Sequence, residues 1–251
     1  MNGGREHLVT EAFVSIANSL VGEFDVIDLL NGLTTNCAEL LDIASAGLLL
    51  ADDRATLHVV AASSEATRTL ELFQLQRDQG PCLDCYRDGQ PVSVSDLDHY
   101  RRRWPQFVDA AAAAGFVSVH AVPMRLPSTV LGTLGLFGTQ AGTLGDDDLH
   151  LAQALAHVAS IAIVRGSSVI NDSATINEQL HVTLTSRAIV EQAKGLLAQR
   201  GALTMEQAFT ALRHYAHDHG AHLGDVAAQL VHQQTSAAHV LRYSTTPRPS
   251  P

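Results

Sequence analysis

Lysine is almost missing from this chain: Lys194 is the only one among 251 residues. Charged residues of every kind make up 17% and aromatics 5%, with one tryptophan. Against 16 Lys+Arg stand 26 Asp+Glu, a formal net charge of −10 that repels nucleic acid over most of the chain. Three cysteines, Cys37, Cys82 and Cys85, are too few and too oddly numbered for a disulfide scaffold. Long hydrophobic runs are missing too. The most apolar helical stretch, Leu149 to Val164, is interrupted by His150, Gln153, His157 and Ser160. It falls short of the roughly 20 residues that span a bilayer. The opening residues Met1 to His7 hold no apolar h-region and no small-residue cleavage site, so no signal peptide is read there. There is no phosphate-binding glycine loop, no G-x-S-x-G and no H-E-x-x-H. The expectation is a soluble, cytoplasmic protein that is not an enzyme, with no membrane partner.

What is present is apolar, at 46%, and enough for one large or two small globular domains. Charge is unevenly placed. Residues 1–180 hold ten Lys+Arg against 22 Asp+Glu, and residues 181–251 hold six against four. Only the second part is neutral enough to approach nucleic acid without strong repulsion.

Hydrophobic spacing supplies the organisation. Phe13, Ile16, Ala17 and Leu20 recur at helical spacing, as do Val26, Leu29, Leu30, Leu33, Cys37, Leu40 and Leu41, with Asp25 placed to cap the second helix. Residues 47–50 and 57–61 read as a β-hairpin around Asp52-Asp53-Arg54. A helix from about Glu65 to Gln76, a short turn from Cys82 to Arg87 and a strand at Pro91 to Val94 follow. Trp104 to Ala114 reads as a helix stopped by Gly115. Strands at 117–124 and 130–137 flank a turn at Pro127-Ser128. Asp146-Asp147-Asp148 then opens a helix of about twenty residues, its acids where the helix dipole favours them. This order is α+β, an antiparallel sheet with covering helices. Gly166 to Ser168 reads as a linker, and a continuous helix is expected from about Ala174 to Gln199. Residues 244–251, rich in proline and serine, are expected to be disordered.

The C-terminal part is all-α. Val190, Ala193 and Leu197 form one stripe of a first helix, and Arg187, Glu191 and Lys194 share another face. Gly195 stands mid-helix at a cost of about 1 kcal/mol, which suits a place where another helix or a ligand comes close. Thr204 and Gln207 make a capping box for a second helix burying Ala208, Phe209 and Leu212, ended by Gly220. Leu223, Val226, Ala227, Leu230 and Val231 line a third. Helices this short need one another, so a three-helix bundle is expected.

Several of these residues at fixed spacing resemble the ANTAR domain of bacterial transcription antiterminators. They are Arg187, Ile189 or Val190, Glu191-Gln192-Ala193-Lys194-Gly195, Arg200-Gly201, Ala208-Phe209, Leu212-Arg213, and Leu223 with Val226-Ala227. The likeness runs from about Leu180 to Val231, with the domain placed at 187–235 after a helical linker at 167–186. It implies an RNA-binding module, dimeric through the preceding helix, that takes paired hairpin loops in leader transcripts. It implies RNA contacts from Arg187, Gln192, Lys194, Gly195, Arg200, Arg213 and His222, with Lys194 and Arg187 as outward cations. One departure stands out: where the family usually offers an Asn and a basic residue, this chain has Gly220-Ala221-His222. Residues 187–232 balance four Lys+Arg with four Asp+Glu, so affinity has to come from base stacking and hydrogen bonds more than bulk charge. Arg187, Glu191 and Lys194 also fit an ordinary solvated, ion-paired face.

The element order over residues 5–166, with the segment Gln79-Gly80-Pro81-Cys82-Leu83-Asp84-Cys85-Tyr86-Arg87, resembles a GAF domain. The resemblance implies a sensory module that takes a small ligand between sheet and helices, or only dimerises. No cofactor is read from the sequence and the ligand is unnamed. Cys82 and Cys85 form a C-x-x-C where helix amides could lower a thiol pKa, a redox-sensor reading. The plainer one is two partly buried small residues. His214, His217, His219 and His222 read either as a metal site or, preferably, as a polar helix end. His120, alone on an apolar strand, reads as a hydrogen-bonded core residue before it reads as a haem or other ligand. Two functions follow. One is a homodimeric antitermination regulator in which a GAF sensor controls an ANTAR output. The other is a redox- or ligand-sensing dimeric switch whose C-terminal helices bind a protein.

Overall fold

The protein is described by a computed structural model covering residues 7–14, 25–127, 129–142, 144–164 and 173–244. The chain divides into two compact units, Met1–Val182 and Thr183–Pro251. Expectations placed on Ile16, Ala17 and Leu20, on Ser128, on the linker at 166–168 and on residues 245–251 lie outside the described residues.

In the first unit residues 7–14 are helical (α1), and α2 spans Val26–Leu40. Asp25 starts α2 by accepting from the backbone N–H groups of Ile27 and Asp28 at 2.8 and 3.0 Å. The period then changes from 3.6 to 2. Strands β1 (Ser45–Ala51) and β2 (Leu57–Ala62) form the expected hairpin, its turn held by Asp52, which accepts from the N–H groups of Arg54 and Thr56 at 2.9 Å. Helix α3 (Glu65–Arg77) is capped by Ser64 and closed by Asp78 in the left-handed region. Next comes α4 (Pro81–Asp88), a helix where the sequence suggested a short turn. It starts with Pro81 in its first turn and stops at Gly89, at φ +61°. Strand β3 (Val92–Val94), a 3-10 turn (Leu97–Tyr100) and α5 (Pro105–Ala113) lead to β4 (Ser118–Leu126), β5 (Thr129–Gly138) and α6 (Asp146–Val164).

The sheet runs β2-β1-β5-β4-β3 with every neighbouring pair antiparallel. Strand alternation divides its core. Leu49, Val119, Ala121 and Phe137 pack with Leu83, Phe107 and Val108 under α3, α4 and α5. Leu48, Leu50, Leu134 and Leu136 face the other way, the side that α2 and α6 cover.

The second unit takes α7 (Ser173–Gly201) from Thr183 onward, then α8 (Met205–Asp218) and α9 (Leu223–Val231). Val190, Ala193 and Leu197 are fully buried with Ala208, Ala211 and Leu212. The capping box at Thr204 and Gln207 is formed in both directions, at 3.1 and 3.0 Å. Beyond the expected three helices lies a further piece, α10 (Ala237–Leu241) and a 3-10 turn at Arg242–Ser244. It packs on α8 and buries Ala237 and Val240. Ser244, counted above with the disordered tail, donates to the carbonyl of Leu241 at 2.7 Å.

Candidate nucleic-acid interface

On α7 the i, i+4, i+7 spacing does bring Arg187, Glu191 and Lys194 to one face. That face turns inward. Lys194 keeps 6% of its surface and Arg187 5%. Glu191 lies between them, its Oε1 2.5 Å from Arg187 Nη2 and 2.9 Å from Lys194 Nζ. The ammonium also stands 5.5 Å from the centroid of the Phe209 ring on α8, a cation–π distance. The expectation of outward cations is therefore corrected. Two long side chains with apolar stems are absorbed beside the bundle core because one carboxylate and one ring compensate their charge there.

The exposed part of α7 is the face through Ala188, Gln192, Gly195 and Gln199, with Arg200 at its end. A Cβ on Gly195 would meet nothing within 4 Å. Arg213 on α8 is exposed and His222, which precedes α9, is half-buried. Of the seven residues expected to touch RNA, Gln192, Gly195, Arg200 and Arg213 lie on the surface, and Arg187 and Lys194 do not. His217 stands 3.6 Å from Asp218, and His219 stacks on Tyr215. Among the described residues no three His, Cys, Asp or Glu side chains come together as they would around a metal ion.

In the first unit the two cysteines are enclosed, as the plainer of their two readings has them. Cys82 and Cys85 lie at the start of α4, yet both are fully buried. Burial pushes the Cys85 thiol up to about 12, and burial followed by the nearby Glu71 carboxylate pushes Cys82 well above its ordinary value. The helix amides do not offset this loss of solvation. Mild peroxide followed by mass spectrometry should find Cys82 and Cys85 unmodified in native protein and modified after unfolding. Rapid modification of native protein would restore the redox reading.

Beneath the sheet sits a polar cluster that the sequence reading missed. Glu71 and Gln74 of α3 are fully buried. Cys82 donates to Glu71 Oε1 at 3.5 Å, and the Gln74 amide donates to Glu71 Oε2. Glycines make the room: a Cβ on Gly47 would lie 2.9 Å from Glu71 Oε1, and one on Gly135 2.8 Å from both Cys82 Sγ and Glu71 Oε1. Burial raises the Glu71 carboxyl to about 8, against the two hydrogen bonds that favour its charge. A glycine in each of two neighbouring strands was the available signal. His120 is a buried core residue, its Nδ1 2.5 Å from Ser93 Oγ, and burial lowers its pKa.

The chain is thus an α+β unit with an antiparallel five-stranded sheet followed by a small helical unit. The chain belongs to the GAF-domain family, whose model matches residues 25–164, and the model of the ANTAR domain matches residues 178–231 after it. GAF domains are sensors and ANTAR domains RNA-binding antitermination outputs. The GAF domain of an Acinetobacter phosphoenolpyruvate-protein phosphotransferase is similar at 14% identity and TM-score 0.52, over 66% of this chain and 96% of that one. That of a Coxiella burnetii phosphoenolpyruvate-protein phosphotransferase is similar at 12% identity and TM-score 0.51, over 63% and 94%. Both likenesses bear on fold alone. No curated protein matches the chain. Among the described residues no helix is long and apolar enough to cross a membrane.

Proposed function

We propose that this chain is a cytoplasmic, homodimeric regulator in which the GAF domain governs an ANTAR domain that binds paired RNA hairpin loops and prevents termination. The observation that carries the reading, beside the ANTAR match, is Gly195. Glycine costs a helix interior about 1 kcal/mol, and here no neighbour among the described residues requires it. The reason for it then lies outside the chain, in something that approaches the exposed face of Gln192 and Gly195. A ribose-phosphate backbone is such a partner, with Arg200 at the end of the face to meet it. Arg187 and Lys194 serve this face from behind, as the brace that fixes α7 on α8.

The test sets stability against binding. Gly195→Ala should stabilise the helical unit by about 1 kcal/mol. The same change should weaken a gel shift of RNA bearing two linked hairpin loops by about five-fold or more, since a loss of about 1 kcal/mol is already that large. A stabilised variant with unchanged RNA affinity would remove the reading. A second reading, a ligand switch whose helices bind a protein, is favoured by one observation, the inward turn of Lys194 and Arg187. RNA crosslinking from cells separates the two, because only the first recovers specific leader transcripts.

A further inference from the structure

Tyr215 in the last turn of α8 and His219, which caps its C-terminal end, are stacked with ring centroids 4.0 Å apart and planes 21° from parallel. The imidazole is held in place by its Nδ1, 2.8 Å from the Tyr215 carbonyl. A carbonyl can only accept, so Nδ1 carries the hydrogen and the ring is fixed in one orientation. Tyr243, from the 3-10 turn after α10, meets Tyr215 edge-on at 5.4 Å and His219 at 6.2 Å. Because Tyr243 is nearer to Tyr215 than to His219, it stands beside the pair and does not cover the outer face of the imidazole. His219 is exposed. The result is a two-ring stack, buttressed from the side, that ends in the exposed His219 imidazole.

We propose that this outer face of His219 is a stacking platform for one unpaired nucleobase of the RNA. The inference rests on the RNA-binding reading above and adds a site to it. Tyr243 lies beyond the residues matched by the ANTAR model, which end at 231, so the buttress belongs to this chain's own extension. Three observations favour a base. A π-face accepts any nucleobase, which suits a domain whose residues 187–232 balance four Lys+Arg with four Asp+Glu and so offer little bulk positive potential. The platform is rigid before binding, so little side-chain freedom is lost when a base settles. The surroundings suit a polyanion: exposed Arg242 precedes Tyr243 and His217 lies two residues from His219, with Asp218 the single acid on that turn. Gly220 and Ala221, which directly follow His219, add no bulky side chain beside the ring.

The full-length chain is first used to select its RNA ligands from a pool bearing two linked hairpins with randomised loops. The affinity of the selected RNA is then measured for wild type, His219→Ala, His219→Tyr and Tyr243→Ala. Removing a stacking ring should weaken binding about ten-fold or more in His219→Ala. His219→Tyr, which keeps a ring, should stay within about two-fold. 2-Aminopurine scanned through the loop should be quenched at one position by wild type and not by His219→Ala. Because His219 is exposed, His219→Ala should fold normally, whereas Tyr243→Ala tests the buttress and should show an intermediate loss. Equal affinity of wild type and His219→Ala would overturn the platform, leave the RNA reading intact, and assign the ring face to a protein partner. Failure of the wild-type chain to select any RNA would overturn both.

Discussion

The GAF domain should be several kcal/mol less stable at about pH 8.5 than at about pH 4.5, the reverse of what an ion-paired carboxylate gives. The cause is Glu71, whose carboxyl is raised from 4.5 to about 8 by burial. Below 4.5 the folded and unfolded chains both hold its proton, and stability does not depend on this group. Between 4.5 and 8 the unfolded chain releases the proton while the folded one keeps it, so each rise in pH favours unfolding. Above 8 both forms are ionised and the loss is complete. At about 1.4 kcal/mol for each pH unit between those values, the whole effect approaches about 5 kcal/mol. Trp104, the chain's only tryptophan and 2% exposed in the core of this domain, reports the unfolding by its fluorescence. Glu71→Gln keeps the shape and a hydrogen-bonding group but cannot ionise, so its melting should be nearly flat across the same window. An equal slope in wild type and Glu71→Gln would show that the charge is not excluded from this site.

That cluster marks the limit of what the sequence discloses. Where burial follows apolar spacing, the elements could be read directly: α2 from Leu30, Leu33, Cys37 and Leu40, the hairpin from its two short runs, α7 to α9 from their stripes and the Thr204 box. The buried face of α3 is Thr67, Leu70, Glu71 and Gln74, a helical i, i+3, i+4, i+7 stripe in which only one member is apolar. A hydrophobic pattern cannot show such a face. Helix α4 was missed for a related reason. It is only eight residues long, and its signals are Pro81 at the start and Gly89 at the end, not a periodic stripe. The face shared by Arg187, Glu191 and Lys194 was legible from spacing, but the direction in which it points was not. That direction is set by Phe209, a residue of another helix. The extension from Ala237 to Ser244 is short and follows a polar stretch, so its packing on α8 left no mark in the local sequence.

Removing the carboxylate between the two inward cations should be the most damaging single change in the ANTAR domain. Glu191→Ala leaves the Lys194 ammonium and the Arg187 guanidinium, both about 95% buried, without the acid that bridges them. Breaking a buried pair in this way costs about 3–5 kcal/mol, at the lower end here because the Glu191 side chain keeps 20% of its exposure. Hydrogen exchange across α7 and α8 should accelerate together, since the brace joins those two helices. Lys194→Met is the informative companion. It retains the long stem against Phe209, leaves Glu191 paired with Arg187, and should cost about 1 kcal/mol. Its effect on RNA follows from the same geometry. A cation that stays beneath the surface neutralises no phosphate, so Lys194→Met should bind RNA within about two-fold of wild type and with the same salt dependence. A cation that swings out on binding would behave differently: affinity would fall several-fold and the salt slope would drop by about one. The first outcome makes Lys194 a brace and leaves recognition to the Gly195 face and the His219 ring stack. The second would make the brace a latch, closed by Glu191 in the free protein and opened by RNA.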